Sequence, residues 1–470
     1  MWKLIASISL VLCAQAREGL CAQARAAVVL SPADDLRLAV EAHPQATTFR
    51  LKPGLYRLQS VAPKDRDVFI GDDGAVMSGA RLLETFERDG DLYVARDQPV
   101  DPNAMVHGEC RRNFPRCGHP QDLYFDGKPL RAVAKKSELG PGRFFYDYRH
   151  AAVYFADDPA GRTVELSVTP FAFGGHGRDV TIENVTVEKY ACADQQGAIG
   201  DQGQGHSWTI RDSEVRLNHG VGIIMPPGSS VLHDFVHDNG EMGIGDGGGS
   251  GAIQDSEIAS NVWNGTDCNW ECGGVKWSGV TEWIVTGNDV HDNQGPGLWA
   301  DIDSQQMLID GNRIERNLLA GVSIEISNNA IVSNNVFTGN GARRFHWGWY
   351  GQVQIQNSHA VQVEDNTLVL DPRRGGNGIV VIQQDRGARH MPKDNRITGN
   401  DVTLAAGDGV VAGWFADYRP NAFAASNVFD DNRYHVAAPD GMFWAPNEWT
   451  TFAAWQATGQ DVHSAVDGAP

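Results

Sequence analysis

Nothing in this chain is apolar for long enough to cross a bilayer as a helix. The apolar run at residues 4–12 is about half the ~20 residues such a helix needs, and no later segment resembles one. Positive charge is scarce. The 470 residues hold 39 Lys and Arg against 59 Asp and Glu, a net charge of −20, and no basic stripe breaks the excess. That excludes nucleic acid as a partner and disfavours a strongly polyanionic ligand unless a local basic groove overrides the balance. Cysteine is limited to seven, with no Cys-x2-Cys pair, so zinc pairs are absent. There is no Pro/Ser linker of low complexity and no Leu-x-x-Leu-x-Leu frame, which excludes leucine-rich repeats.

Glycine (53 residues) and recurring Asn are abundant instead. Asn precedes an apolar residue at Asn288, Asn312, Asn335, Asn366, Asn400 and Asn427, and a second Asn recurs at Asn218, Asn239, Asn261, Asn293, Asn317 and Asn340. A Gly-apolar strand start follows at Gly222, Gly243, Gly274, Gly297, Gly321 and Gly378. The spacing of about 21–35 residues is that of a solenoid. Short strands, Asn/Gly turns and the absence of a helical period between them predict an all-β fold, a right-handed parallel β-helix. Stacked Asn side chains can bond along its axis.

Two strand starts carry the chemistry. In Gly297-Leu298-Trp299-Ala300-Asp301, continued by Ile302 and Asp303, alternation predicts Leu298, Ala300 and Ile302 inward and Trp299, Asp301 and Asp303 outward. One repeat later, Val322, Ile324 and Ile326 oppose Ser323, Glu325 and Ser327. Aligned repeats place Ser278, Asp301, Glu325 and Gln356 in one outward column. Lys276, Trp299, Ser323 and Gln354 form the column before it, and Asp303, Ser327 and Ser358 the column after. Stacked strands separate Asp301 and Glu325 by about 4.8 Å. Carboxyl groups about 5–5.5 Å apart suit retention in glycoside hydrolysis. Trp299, Trp347 and Trp349 offer aromatic faces to sugar rings, and Lys276, Asp303, Ser327 and Gln356 offer polar contacts; these seven are the candidate substrate-binding residues.

These segments, with Gly273-Gly274-Val275-Lys276 and Glu325-Ile326-Ser327, resemble the β-helix glycoside hydrolases typified by the β-xylosidase family. That family combines a β-helix with a sandwich-like insertion. The resemblance implies Asp301 as nucleophile and Glu325 as acid/base, with no metal or other cofactor and a carbohydrate as partner. Where the family typically has His after its Glu-x-Ser segment, this chain has Asn328. Two other classes fit the same residues. One is a polysaccharide lyase or epimerase using Lys276 as base, with calcium held by Asp301, Asp303 and Glu325; no outward Arg is evident on these rungs to assist it. The other is a non-catalytic carbohydrate-binding surface protein. Oligomeric state stays open.

The organisation follows. Lys3, the apolar run and Ala-x-Ala sites at residues 14–16 and 22–24 predict a signal peptide over residues 1–26, hence a periplasmic or secreted protein. Residues 27–82 form an N-terminal capping helix and first rungs. Residues 83–173, rich in alternating aromatics, form a small antiparallel β insertion. The parallel β-helix occupies 174–440, and a cap helix and tail occupy 441–470. Cys110 with Cys117 and Cys268 with Cys272 are spaced for disulfides, and Cys192 is a buried free thiol.

Overall fold

The computed structural model describes residues 26–100, 108–342, 347–371, 373, 376–407, 409–417 and 426–469. The expected signal peptide, apart from residue 26, lies outside them. Among the described residues three parallel sheets run the length of the molecule, of 13, 13 and 10 strands, and each strand pairs with its equivalent one turn of the coil away. This is a parallel β-helix. Its core is one continuous apolar cluster, from Leu36 and Phe49 at one end to Trp444 and Trp455 at the other. Successive turns bury one another's apolar faces, which no single turn could do alone.

Hydrogen-bonded asparagines hold the turns in register. Asn218, Asn239, Asn261, Asn293, Asn317 and Asn340 form a buried chain, each Nδ2 donating to the Oδ1 of the next at 2.9–3.1 Å. Gln352 ends it, accepting from Asn340 at 2.8 Å. A second chain joins Asn288, Asn312, Asn335, Asn366, Asn400 and Asn432. Asn427, expected in that series, belongs to a third: Asn395 donates to it at 2.8 Å. The spacing of Asn427 from Asn400 is close to one period, but it sits at another corner of the coil. The ladders also explain the glycines. A Cβ on Gly243, Gly274 or Gly297 would lie 2.8–2.9 Å from the Nδ2 of the next ladder Asn and 2.6–2.7 Å from a backbone oxygen of the next turn. Only glycine lets the strand start pass the amide.

Helix Leu36–Ala42 closes the N-terminal end, burying Leu36 and Val40 and capped by Asp35 on the Leu38 N–H at 2.9 Å. Two small sheets, almost wholly antiparallel, make the insertion and enclose their own core of Leu123, Phe125, Phe144, Val153, Phe155 and Leu166. Ala80–Leu82 pairs with Val164–Ser167, so this unit takes in residues that the sequence places with the first rungs. At the far end helix Phe452–Gln456 is short, and Ala465–Gly468 adds a further strand on Arg433–Val436. The coil therefore extends beyond residue 440. Both expected disulfides are present, and Cys192 is free and buried.

Candidate active site

The ten-stranded sheet presents the candidate residues. Ser278 pairs with Asp301, and Glu325 with Gln356; Lys276 pairs with Trp299, Trp299 with Ser323, and Ser323 with Gln354. Both outward columns thus stand in the expected order. The strands end sooner than alternation predicts. Leu298–Asp301 and Val322–Glu325 stop at their carboxylates, and Ile302, Asp303 and Ile326 turn with φ of 48°, 59° and 37°. Ile302, expected in the core, is therefore 53% exposed. Ser327 does not face outward either. It is buried, its hydroxyl donating to the Glu325 carbonyl at 2.6 Å, and it falls in a turn row with Ser304 and Ser358. Asp303 stands apart on the surface, 3.4 Å from Arg389. The third column fails because backbone in the left-handed region breaks the two-residue period on which it was counted.

Asp301 and Glu325 sit on adjacent turns, both nearly buried. Asp301 Oδ2 is 3.3 Å from Lys276 Nζ, and its Oδ1 accepts from the Ile302 N–H at 2.8 Å. Lys276 also reaches Glu271 Oε2 at 3.2 Å and lies 3.8 Å above the Trp299 ring. Glu325 accepts from Trp299 Nε1 at 3.2 Å, Gln356 Nε2 at 3.0 Å and Arg386 at 2.9 Å. Burial, then the charge of Asp301, pushes the Glu325 carboxyl up to about 6 against the pull of Arg386. Both carboxylates have a cationic partner, Lys276 for Asp301 and Arg386 for Glu325, and burial raises Glu325 despite its arginine.

A cavity of about 270 Å³ opens over this surface. Its lining includes Trp299, Ser323, Glu325, Trp349, Gln356 and Arg386; Asp301, on the turn before Glu325, is not part of that lining. Trp347 lies a ring further back, its ring tilted and 5.7 Å from that of Trp349, and packed edge-on against Phe415. Two further residues here carry no sequence motif. Arg386, from the segment after Asn377–Gln383, supplies the arginine that the rungs lack, and Glu271, inside the Cys268–Cys272 loop, adds a third carboxylate, raised by burial. Both come from excursions, where a repeat-based alignment has no register. Further acids continue along the sheet. Asp246, pushed up to about 6 by burial, accepts from the Ser278 N–H, and buried Glu241 is raised by desolvation and by Asp194.

The topology and the sequence comparison together define the class. Residues 196–368 match the family model described as a right handed beta helix region, and the chain is a right-handed parallel β-helix. Among individual proteins, the tail spike protein of Salmonella phage epsilon15 is 23% identical over 295 residues, 58% of this chain but 25% of that protein, so the match spans a quarter of its length. The structure of XylC in complex with xylose aligns with a TM-score of 0.57 at 14% identity, covering 85% of this chain and 72% of its own. The A-module of the Azotobacter vinelandii mannuronan C-5 epimerase AlgE6 aligns with 0.52 at 14% identity, covering 92% of each. At these identities the alignments establish the fold.

Proposed function

We propose that this protein is a carbohydrate-active enzyme, exported to act outside the cytoplasm, that cleaves a glycosidic bond with retention of configuration. The observation that carries the reading is the pair Asp301 and Glu325 on adjacent turns, beside an aromatic-walled cavity and in contrasting environments. Asp301, held by Lys276, attacks the anomeric carbon. Glu325, whose buried carboxyl keeps its proton up to about pH 6, protonates the leaving oxygen, then takes a proton from the incoming water as the glycosyl-enzyme breaks down. Trp299 orients Glu325 through its indole N–H and shares its ring with Lys276. Trp349 offers a stacking face, and Gln356 binds both Glu325 and the cavity. Similarity to XylC, seen with xylose, and to a polysaccharide epimerase agrees with a sugar ligand.

Asp301→Ala and Glu325→Ala should each lower turnover by about 10²–10⁴-fold with the fold intact. Glu325→Ala should keep activity on substrates with activated leaving groups and be rescued by azide; Asp301→Ala should not cleave them by the normal route. An NMR time course should show the retained anomer first. The inverted anomer as first product, or wild-type activity in either variant, would overturn the assignment. Arg386 favours one second reading, a lyase in which Lys276 is the base and Arg386 assists. Its signature would be unsaturated products absorbing in the ultraviolet, and calcium dependence if the acidic residues hold an ion.

A further inference from the structure

A second cavity, of about 250 Å³, lies where the insertion meets the coil. Arg116 and Arg131 line it from the insertion with Phe114, and Trp263 and Asn264 line it from the coil. Its acidic residue, Asp122, is already engaged, 2.8 Å from the buried His219 ring, whose other nitrogen meets the Cys117 carbonyl at 2.6 Å. Neither arginine has a carboxylate partner among the described residues. Arg116 contacts His119 and the Ala134 carbonyl; Arg131 contacts the Asn113 carbonyl and lies 4.5 Å from the Phe114 ring. In a chain of net charge −20, two guanidinium groups facing a cavity with aromatic walls and no paired acid are the exception.

One wall joins this cavity to the candidate active site. The backbone at Arg111 donates to the Gly265 carbonyl at 2.9 Å, and Asp267 N–H to the Glu109 carbonyl at 2.7 Å. Each of these paired loops is closed by its own disulfide. Trp263 and Asn264 face the second cavity, and Cys268 and Asn269 face the first. Four residues of extended chain span at most about 14 Å, within reach of one oligosaccharide. We infer that the second cavity is a remote subsite for an anionic sugar unit, carrying a carboxylate or a sulfate, gripped by Arg116 and Arg131 and stacked on the aromatic wall. It rests on the proposed function in that both cavities hold one glycan, and it names the class of that glycan as acidic.

The test is calorimetric binding to the full chain carrying Glu325→Gln, so that ligand is not consumed. The probes are hexamers of galacturonate and mannuronate, a sulfated galactan oligosaccharide, and neutral xylohexaose. Tighter binding of a uronate or the sulfated probe than of xylohexaose is expected, with the better of the two naming the source of the charge. Arg131→Glu should weaken that binding at least tenfold, and Arg131→Lys should retain more of it. Arg131 is exposed, so its variants should fold even if Arg116→Gln does not. Equal affinity for neutral and acidic probes, or acidic binding untouched by Arg131→Glu, overturns the inference. Binding of an acidic probe that the wild type does not cleave would count against the hydrolase reading alone.

Discussion

Glu325 sets the pH behaviour expected of the candidate site. A group that must deliver a proton works below its own titration, so kcat/KM should fall about tenfold per pH unit above pH 6. Arg386 pulls the Glu325 carboxyl down, so Arg386→Gln should move that limb to higher pH, measurable as a shifted pH–rate profile. A different acid governs stability. Asp234 is buried in the row Ser213, Asp234, Ser256 that continues into the second asparagine ladder, accepting from Ser213 N–H at 2.7 Å and Leu232 N–H at 3.1 Å. Burial pushes it up to about 8. Between pH 4 and 8 the folded state then binds a proton that the unfolded state has lost, so folding weakens as pH rises through this window. Asp234→Asn should relieve that loss. Its melting temperature should exceed the wild type's by more at pH 8 than at pH 4, a difference on the order of a few kcal/mol in stability. An unchanged gap between the two pH values would show Asp234 to be ionised in the folded protein.

At the scale of a single turn, the strand-start glycine and the ladder asparagine act as one device. Gly297→Ala would press a methyl group to 2.7 Å from the Gly321 oxygen and 2.8 Å from Asn317 Nδ2. Overpacking against backbone should cost about 1–3 kcal/mol. Gly140→Ala, with nothing within 4 Å of the added carbon, is the control and should be near neutral. Asn317→Ala should cost more, about 3 kcal/mol or above. It strips partners from Val290 O, from the Asn293 backbone and side chain, and from Asn340. Chemical denaturation of the three variants checks the order. Elements also set where sequence pattern holds. Inside the strands alternation placed Trp299, Asp301, Ser323 and Glu325 outward, but one residue past one strand end it misplaced Ile302, and two past the other it misplaced Ser327, because positive φ at Ile302 and Ile326 breaks the alternation.

Across the whole molecule, the candidate site also draws on segments outside the coil's strands. The Cys268–Cys272 loop carries Glu271 against Lys276 and places Cys268 and Asn269 in the cavity wall. The Cys268→Ser, Cys272→Ser double variant should therefore lose activity several-fold while its circular dichroism and unfolding midpoint stay near wild type, since the asparagine ladders do not involve this loop. A fall in stability matching the fall in activity would place the loop in the scaffold instead.

The coil itself was legible in the residues alone. Its turns repeat, each repeat needs glycine beside asparagine, and a period-two strand allows no choice of which side chain faces out. The column Ser278, Asp301, Glu325, Gln356 followed from that register. Arg386, Glu271, the placement of Trp349 in the cavity with Trp347 behind it, and the basic cavity beside the insertion were decided by tertiary structure. Each comes from an excursion of irregular length, and such a segment carries no period. Its side chains find their neighbours only after the coil has brought distant turns together, as Arg386 meets Glu325 across 61 residues of chain.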